Sequence, residues 1–407
     1  MKPFQFLSAI SWLALVGAQT FPLRIRNPGT TSSITATQFG TVFDVPITIG
    51  NQTFQALVDT GSSDTYVMRN SYKCIHPKTS LEIPQKHCLY SNHTYHVSKT
   101  YRQVPNENFG IKYGAGIASG VMAHEDVTLN GITVKGQKVG IADRSNPMGD
   151  ELNSGLLGLA YPSITSAHPG NHSDNTTYWY YRRPYDPLLF SMHKQGLIDP
   201  YFSIALARTS PNASTGFGGY LTLGGLPPVK HSPEWSVVPV EITEGIPLNY
   251  TSGQRVRSYW TMTVSRVVYG ASANKRTTNT TSFQAFVDVG NSVSVLPAGL
   301  ANPINAAFSP PAVFDPKSKM YIVDCNAKAP EFGLTIGDQT FFHRGADIIY
   351  KVDEKTCITA IASSDTAGIP GLPINIIGAA FLKNAVSVFD FGKNEMRFAK
   401  LLDVKKH

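Results

Sequence analysis

The 407-residue chain contains only four cysteines, and none of them stands in a Cys-x-x-Cys spacing. It also lacks a His-Glu-x-x-His segment, and its eleven histidines are scattered. Protein zinc sites are usually built from such closely spaced ligands, so we expect no metal ion. The chain has no Gly-x-Ser-x-Gly and no phosphate-binding P-loop, which excludes the commonest motifs of serine hydrolases and nucleotide-binding enzymes.

Positive charge is present but is not concentrated in one region. The formal net charge is +7, from 35 Lys and Arg against 28 Asp and Glu. These residues are spread along the chain, and the basic runs are only doublets such as Arg182–Arg183. Recognition of a nucleic acid usually requires a basic cluster or a basic helix. We therefore expect an ordinary solvated surface and no nucleic-acid partner.

Long apolar runs are also rare, and the clearest one covers residues 4–16. Lys2 precedes it and the small residues Val16-Gly17-Ala18 follow it, which is typical of a secretory signal and too short for a membrane span. We predict a signal peptide over residues 1–18 and a short pro-segment or N-terminal linker over residues 19–37. The product should be secreted and extracellular, without a stable membrane anchor.

The four cysteines suit an oxidising compartment, where disulfides form. Three pairings are possible, and the simplest joins the neighbours Cys74–Cys88 and Cys325–Cys357. Potential N-glycosylation sites agree with export. The Asn-x-Ser/Thr sequons lie at Asn51, Asn92, Asn171, Asn175, Asn212, Asn249 and Asn279.

Short segments rich in Val, Ile, Thr, Phe and Tyr, separated by Gly and Pro, indicate a mostly β protein. The dipeptides Gly50–Asn51 and Asn130–Gly131 each predict a tight turn between two strands. One clear helix is predicted, with Asp186 as its N-cap, Pro187 as its first residue and Gly196 just beyond its end.

One unusual pattern occurs twice, as QALVDTGSSDTYVM at residues 55–68 and as QAFVDVGNSVSVLP at residues 284–297. Each copy places an aspartate, Asp59 or Asp288, after apolar residues and before x-Gly-x-Ser. A later apolar-apolar-Gly follows each copy. This order predicts two similar lobes that each supply one aspartate, although apolar-apolar-Gly is common enough in β proteins to match by chance.

An aspartate between a buried strand and a glycine turn is exposed on a rigid base, where small hydroxyl residues can donate hydrogen bonds to it. Two such carboxyl groups brought together cannot both ionise cheaply, so they share one proton. One can then act as a base and the other as an acid toward a water molecule. For a single Asp-Thr-Gly, the alternative is a turn aspartate that caps its own backbone.

The two aspartate turns, together with KYGAG, LGLAYPSI and INIIGAAFLKNAVSVFDFGKNEMRFA, resemble the pepsin-like aspartic proteases over about residues 38–401. The resemblance implies a mostly β, bilobal fold with two pseudo-symmetric lobes, residues 38–205 and 206–407, flanking a substrate cleft. It implies an endopeptidase that cleaves extended peptides or proteins, a monomer, and no cofactor. Cys325–Cys357 corresponds to a family disulfide.

Several site residues follow from the same resemblance. Asp59 and Asp288 correspond to the catalytic pair. Tyr113 and Gly114 correspond to the flap, a β-hairpin that closes over the substrate, and Tyr66 stands where a tryptophan usually supports the flap tyrosine. The residues expected to support the catalytic pair are Thr60, Gly61, Ser62, Gly290 and Asn291.

The second aspartate turn departs from the family pattern, because Val289 and Asn291 replace two hydroxyl residues. The loss of these hydrogen bonds predicts a weaker catalyst, at about 0.5–1.5 kcal/mol for each bond. The flap residues Ala115 and Ile117 also replace residues that are commonly polar. These differences leave two alternatives open: a binding protein that uses this fold, and acid–base chemistry on a small non-peptide substrate.

Overall fold

The computed structural model describes residues 29–171, 180–210, 213–353, 355–367 and 374–404. The predicted signal peptide lies outside the described residues. Among the described residues, no helix is both long enough and apolar enough to cross a membrane.

The first half of the chain is built almost entirely from strands. They are β1 (Thr30–Thr37), β2 (Val42–Ile49), β3 (Gln52–Asp59), β4 (Thr65–Ile75), β5 (Glu82–Ile83), β6 (Arg102–Lys112), β7 (Ile117–Leu129), β8 (Ile132–Ser145), β9 (Gly155–Gly158), β10 (Ala167–Pro169), β11 (Tyr201–Leu206) and β12 (Gly216–Leu223). Helix α1 spans Leu188–Lys194, and two 3-10 turns span Gln85–Cys88 and Pro162–Ile164.

The second half is also mostly β. Its strands are β13 (Lys230–His231), β14 (Ser236–Pro239), β15 (Thr261–Ser272), β16 (Lys275–Asn279), β17 (Phe283–Val287), β18 (Ser294–Leu296), β19 (Val313–Asp315), β20 (Met320–Val323), β21 (Glu331–Ile336), β22 (Gln339–Phe342), β23 (Ile349–Lys351), β24 (Cys357–Thr359), β25 (Ile361–Ser363), β26 (Asn375–Ile377), β27 (Ala385–Asp390) and β28 (Glu395–Asp403). Helices α2 (Ala298–Ala306) and α3 (Ala379–Leu382) and the 3-10 turns Leu248–Thr251 and Gly345–Ile348 complete it.

These strands form three sheets among the described residues. The largest runs β10-β6-β7-β8-β4-β9-β3-β2-β1-β12-β11-β27-β28-β13, with β5 beside β4 and β14 beside β28. The second runs β22-β21-β15-β17-β26-β18-β25, with β16 beside β15, and the third runs β19-β20-β24-β23. The C-terminal hairpin β27–β28 therefore lies in the sheet of the first half, where β27 pairs with β11.

The same strand arrangement occurs in both halves. In the first, β3 is parallel to β9, β9 is antiparallel to β4, and β4 is parallel to β8. In the second, β17 is parallel to β26, β26 is antiparallel to β18, and β18 is parallel to β25. The predicted repeat of two similar lobes is therefore confirmed, and the bilobal, mostly β fold with it.

Both predicted turns are present. Leu129 pairs with Ile132 across Asn130–Gly131, and both turn residues have positive φ, of 51° and 78°. Gly50 and Asn51 have φ of 58° and 63° and join β2 to β3 in the same way. Positive φ at both central residues is the type I′ geometry that matches the twist of a hairpin.

The predicted N-cap of helix α1 is wrong by one residue. Pro187 occupies the cap position, and no side chain caps the helix. The Asp186 carboxylate instead accepts two hydrogen bonds from Lys194 Nζ, each 2.7 Å long. The predicted end is present, because Gly196 adopts a φ of 72° and its N–H donates to the carbonyl of His193.

Trp260 contacts residues of the first half of the chain, and its side chain is completely buried. Its ring makes edge contacts with Phe202 and Phe389, and its Nε1–H donates to the carbonyl of Leu159 over 2.9 Å. The N–H of Leu159 in turn donates to the carbonyl of Asp59 over 2.8 Å. Core packing and the position of Asp59 are therefore directly linked.

The structure pairs Cys74 with Cys88 and Cys325 with Cys357, the local pairing of the three possible ones. Of the sequon asparagines, Asn51, Asn92, Asn171 and Asn249 are exposed and Asn279 is half-buried, whereas Asn175 and Asn212 lie outside the described residues.

The first described strand belongs to the large sheet. Residues 30–37, which fall within the segment predicted as pro-segment or linker, form β1 and pair with both β2 and β12. Strand β11 crosses the predicted lobe boundary at residue 205. The lobe limits drawn from the sequence remain predictions.

Candidate active site

The two aspartates lie at equivalent positions in the repeated arrangement. Asp59 ends β3, beside Gly158 of β9, and Asp288 directly follows β17. The N–H of Asp288 donates to the carbonyl of Ile377 in β26 over 2.9 Å. Each aspartate is thus held at the end of a strand that pairs in parallel with the strand carrying the apolar-apolar-Gly segment.

Two residues after each aspartate stands a glycine that faces the carboxyl group of the other lobe. A Cβ atom added to Gly61 would lie 2.5 Å from Asp288 Oδ2, and one added to Gly290 would lie 2.6 Å from Asp59 Oδ1. Only glycine leaves room for so close an approach. Asp59 and Asp288 are only 5% and 9% exposed, and their carboxyl groups lie within hydrogen-bonding reach of each other.

The two carboxyl groups receive unequal support. Asp59 accepts hydrogen bonds from Gly61 N–H, 2.8 Å long, and from Ser62 Oγ–H, 2.5 Å long. Asp288 accepts the equivalent backbone bond from Gly290 N–H over 2.9 Å. Asn291 stands where Ser62 stands in the first turn, but among the described residues its side chain makes no hydrogen bond to Asp288.

The unequal hydrogen bonding gives the two carboxyl groups different tendencies to ionise. Burial raises the pKa of Asp59, and the hydrogen bonds from Ser62 and Gly61 oppose that rise. Burial, followed by the negative charge of Asp59, raises the pKa of Asp288 well above its usual value. Because hydrogen bonds to an anion favour ionisation, the additional bond from Ser62 favours the negative charge on Asp59 and the shared proton on Asp288.

Thr60 joins the two turns. Its hydroxyl donates to the carbonyl of Val287 over 2.9 Å and accepts from the N–H of Val289 over 3.0 Å, both in the opposite lobe. Val289 is buried and has no hydroxyl that could form the equivalent hydrogen bonds to the first lobe. The lobes are therefore joined at the aspartates by one threonine rather than by a reciprocal pair.

The flap hairpin covers the same region. Its four-residue turn connects β6 to β7 and is closed by a 2.7 Å bond from Tyr113 N–H to the carbonyl of Gly116, with Gly114 and Ala115 exposed. The hydroxyl of Tyr113 is buried close to Ser62 and makes no well-formed hydrogen bond among the described residues. A donor in this position is suited to contact a group bound above the aspartates.

Tyr66, at the position expected to support the flap, is buried behind Tyr113. Its ring packs 5.1 Å from that of Phe109, and its hydroxyl is close to those of Tyr90 and Tyr113. The Tyr90 hydroxyl continues to Ser145 Oγ over 3.0 Å. A row of tyrosine hydroxyls thus replaces the single indole N–H that a tryptophan would supply.

Three residues beside the first aspartate turn were not predicted from the sequence. Asp64 is fully buried, and its Oδ1 accepts hydrogen bonds from Ser166 N–H and from Tyr185 Oη–H, 2.8 and 2.6 Å long. Arg182 Nη1 donates to Ser166 Oγ over 2.9 Å. The motif VDTGSSD includes Asp64, but nothing in its local sequence identifies Tyr185, which is 121 residues away, as its partner.

A second carboxyl pair shows why burial alone does not identify the site. Asp44 and Asp150 are both buried, and burial and the neighbouring Asp150 carboxylate raise the pKa of Asp44 well above its usual value. Asp150 accepts from Thr37 Oγ1–H and from the N–H of Asn153. This pair lies inside the first lobe, whereas Asp59 and Asp288 meet between the lobes.

Among the residues that the structure describes, no group of three or more His, Cys, Asp or Glu side chains could hold a metal ion. The pair of carboxyl groups with its surrounding N–H and O–H donors is suited to proton transfer at a neutral group held between them.

Comparisons with known proteins agree with this geometry. A family model described as eukaryotic aspartyl protease matches residues 43–401. The chain is 39% identical over 368 residues to a probable aspartic-type endopeptidase from Aspergillus fumigatus, covering 88% of this chain and 79% of that protein. It is 27% identical over 360 residues to penicillopepsin-1 from Penicillium janthinellum, covering 87% and 93%.

The fold is similar to that of a solved aspartic proteinase from Irpex lacteus. The TM-score is 0.68 at 20% sequence identity, and the match covers 92% of this chain and 97% of the other. The similarity therefore extends over both lobes and the junction between them.

Proposed function

This chain belongs to the eukaryotic aspartyl protease family, and on that premise we propose that it is a secreted endopeptidase in which Asp59 and Asp288 hydrolyse peptide bonds. The observation that carries the proposal is the direct approach of the two carboxyl groups at the lobe junction. Secretion is supported by the N-terminal apolar segment, two disulfides and exposed sequons.

In the proposed reaction, a water molecule lies between the two carboxyl groups. The Asp59 carboxylate removes a proton as the water oxygen bonds to the scissile carbonyl carbon, and Asp288 donates its proton to the carbonyl oxygen. A neutral tetrahedral diol results. The proton held by Asp59 then passes to the amide nitrogen, the C–N bond breaks, and Asp288 regains a proton from the diol. No covalent bond forms between protein and substrate.

We expect the purified protein to cleave a denatured protein in acid and to lose activity toward neutral pH. The raised pKa of Asp288 keeps one proton on the pair well above pH 3.8, but that proton is lost once the pH rises through the raised value. Below the raised pKa of Asp59 the base becomes protonated and activity falls again. A bell-shaped profile of kcat/KM from pH 2 to 8 is the expected result.

A statine-type transition-state mimic serves as the control in this assay, because it should abolish all fragments that depend on the pair. Tight binding of the mimic without cleavage at any pH would instead support a binding protein. Cleavage that persists in the presence of saturating mimic would indicate a contaminating protease and would not support the proposal.

Restoring a hydroxyl beside Asp288 should shift its ionisation. In Asn291→Thr, the new Oγ–H is expected to donate to Asp288 as Ser62 donates to Asp59, which stabilises the charged form. The alkaline limb of the kcat/KM profile should move down by about 0.5–1 pH unit, the equivalent of one ordinary hydrogen bond. Val289→Thr is the matched variant, because its hydroxyl would face the lobe junction and should leave this limb in place. An unchanged alkaline limb in Asn291→Thr would contradict our assignment of the proton to Asp288.

A further inference from the structure

Two segments, one from each lobe, meet beside the aspartates and form what we call the interlobe strap. The first consists of residues 182–185, and the second consists of residues 246–257. The second is a Gly- and Pro-containing stretch between two apolar runs, VVPV and YWTMTV, and includes the 3-10 turn Leu248–Thr251. The proposed chemistry does not use either segment.

The first segment is fixed to its own lobe. The N–H of Arg183 donates to the carbonyl of Ala167 over 2.8 Å, and the N–H of Tyr185 donates to Thr165 Oγ1 over 3.1 Å. The guanidinium of Arg182 donates to the carbonyl of Ile164 over 2.5 Å. With these bonds the segment lies along residues 164–167.

The second segment is folded on itself. The N–H of Gly253 donates to the carbonyl of Leu248 over 2.7 Å, and Thr251 Oγ1–H donates to the carbonyl of Gln254 over 2.5 Å. The hydroxyl of Tyr250 lies 3.1 Å from that of Tyr259, whose ring stacks on Phe286 at 4.5 Å. Phe286 lies in β17, two residues before Asp288, so this segment lies close to the pair.

The two segments contact each other across the gap between the lobes. The guanidinium of Arg182 lies over the ring of Tyr250, 4.3 Å from its centre, and both residues are buried. Ser252 Oγ–H donates to the carbonyl of Arg182 over 3.2 Å. Outside the first segment, Ser163 Oγ–H of the same lobe also donates to the carbonyl of Arg257 over 2.8 Å. A buried cation on an aromatic face is a strong contact, because neither group is screened by water.

Further hydrogen bonds lie next to the strap. On one side, the N–H of Tyr161 donates to the carbonyl of Ser258, and the Tyr161 hydroxyl donates to Asn394 in the β27–β28 turn. On the side of the flap, the strap residue Tyr185 donates to Asp64. Nearby, the ring nitrogens of His168 lie 2.8 and 2.9 Å from the carbonyl oxygens of Gly110, in flap strand β6, and Tyr180.

We propose that the interlobe strap closes the cleft on one side of Asp59 and Asp288, and that it makes the endopeptidase prefer bonds that lie within a few residues of one end of a chain. The proposal rests on the proposed function and adds a substrate class to it. An extended peptide advances about 3.3 Å per residue, so a wall beside the pair leaves room for only a few residues on that side. A long chain would then extend on the other side of the pair.

The test measures the binding of four statine-type peptides that share one core. One is the core alone, two carry a six-residue extension at either the N-terminal or the C-terminal end, and one carries both. Calorimetry at one fixed acidic pH should show that an extension at one end raises Kd at least tenfold, while an extension at the other end leaves Kd unchanged or lower. Substrates with the same extensions should show the same asymmetry in kcat/KM.

The variants Arg182→Gln and Tyr250→Leu remove the contact between the guanidinium and the aromatic ring that joins the two segments. In each variant, Kd for the peptide with the disfavoured extension should be less than threefold higher than Kd for the core peptide. Kd for the core peptide itself should stay within threefold of its value for the unmodified protein. Arg183→Gln is the matched control, because it removes a neighbouring, exposed arginine and should keep the full penalty. Thermal unfolding of each variant checks that the fold is retained.

Equal Kd values for the two singly extended peptides would overturn the proposal, and so would an unchanged penalty in both folded variants. These outcomes are independent of the proposed function, because the peptides are not cleaved and their binding is measured directly. Absence of peptide cleavage with retained asymmetric binding would refute the endopeptidase activity and support the strap.

Discussion

Replacing Asp288 with asparagine is expected to lower kcat for peptide cleavage by about 10³–10⁴-fold, within the range typical of a lost general acid–base group. The amide cannot supply the proton that Asp288 carries because of its burial and its proximity to the Asp59 charge. Asp59→Asn should have an effect of the same size, because it removes the base. The loss should appear in kcat rather than in KM, since neither change removes a contact with the distant parts of a peptide.

Asp338→Asn provides the control for this prediction, because Asp338 is exposed on the turn between β21 and β22. It should retain full activity. If either Asp59→Asn or Asp288→Asn kept more than a tenth of the original kcat, the two residues could not be acting as a pair. Double replacement should cost little more than either single change, because the two groups act as one unit.

Replacing Thr60 with valine is expected to lower the free energy of unfolding by about 2–4 kcal/mol. The change leaves the carbonyl of Val287 and the N–H of Val289 buried without their shared partner, and each unpaired buried group costs about 1–3 kcal/mol. Urea titration should show a lower midpoint with the same slope. Activity should fall as well, because the two aspartate turns would lose the contact that fixes their distance.

Thr60→Ser is the matched variant for this experiment, since it keeps the hydroxyl and removes only a methyl group. It should retain most of the stability and activity that Thr60→Val loses. Equal losses in the two variants would mean that packing of the methyl group, rather than the hydrogen bonds between the lobes, is responsible.

The local features of the fold could be predicted because their causes are local. Asn130 and Gly131 adopt positive φ readily, so the β7–β8 turn follows from two neighbouring residues. The repeated aspartate turns could be recognised because each is contained in a short segment. The predicted N-cap of α1 was wrong although it also rested on a local pattern. The Asp186 carboxylate pairs with Lys194, which the helix pattern did not indicate.

The contacts that complete the site depend on residues far apart in the chain. Thr60 and Val289 are separated by 229 residues, and Asp64 and Tyr185 by 121. No spacing rule connects them, because each contact exists only once the lobes have assembled. The Arg182–Tyr250 contact is of the same kind, and its two residues lie in stretches that read as ordinary loops in the sequence.

A crystal structure of the protein with a bound statine-type peptide is the most direct measurement of the central claim, that Asp59 and Asp288 act together on one water molecule. We predict that the central hydroxyl of the peptide, which takes the place of that water, lies within about 3 Å of a carboxyl oxygen of both aspartates. A hydroxyl that contacts only one aspartate, or a peptide bound elsewhere on the molecule, would contradict the account.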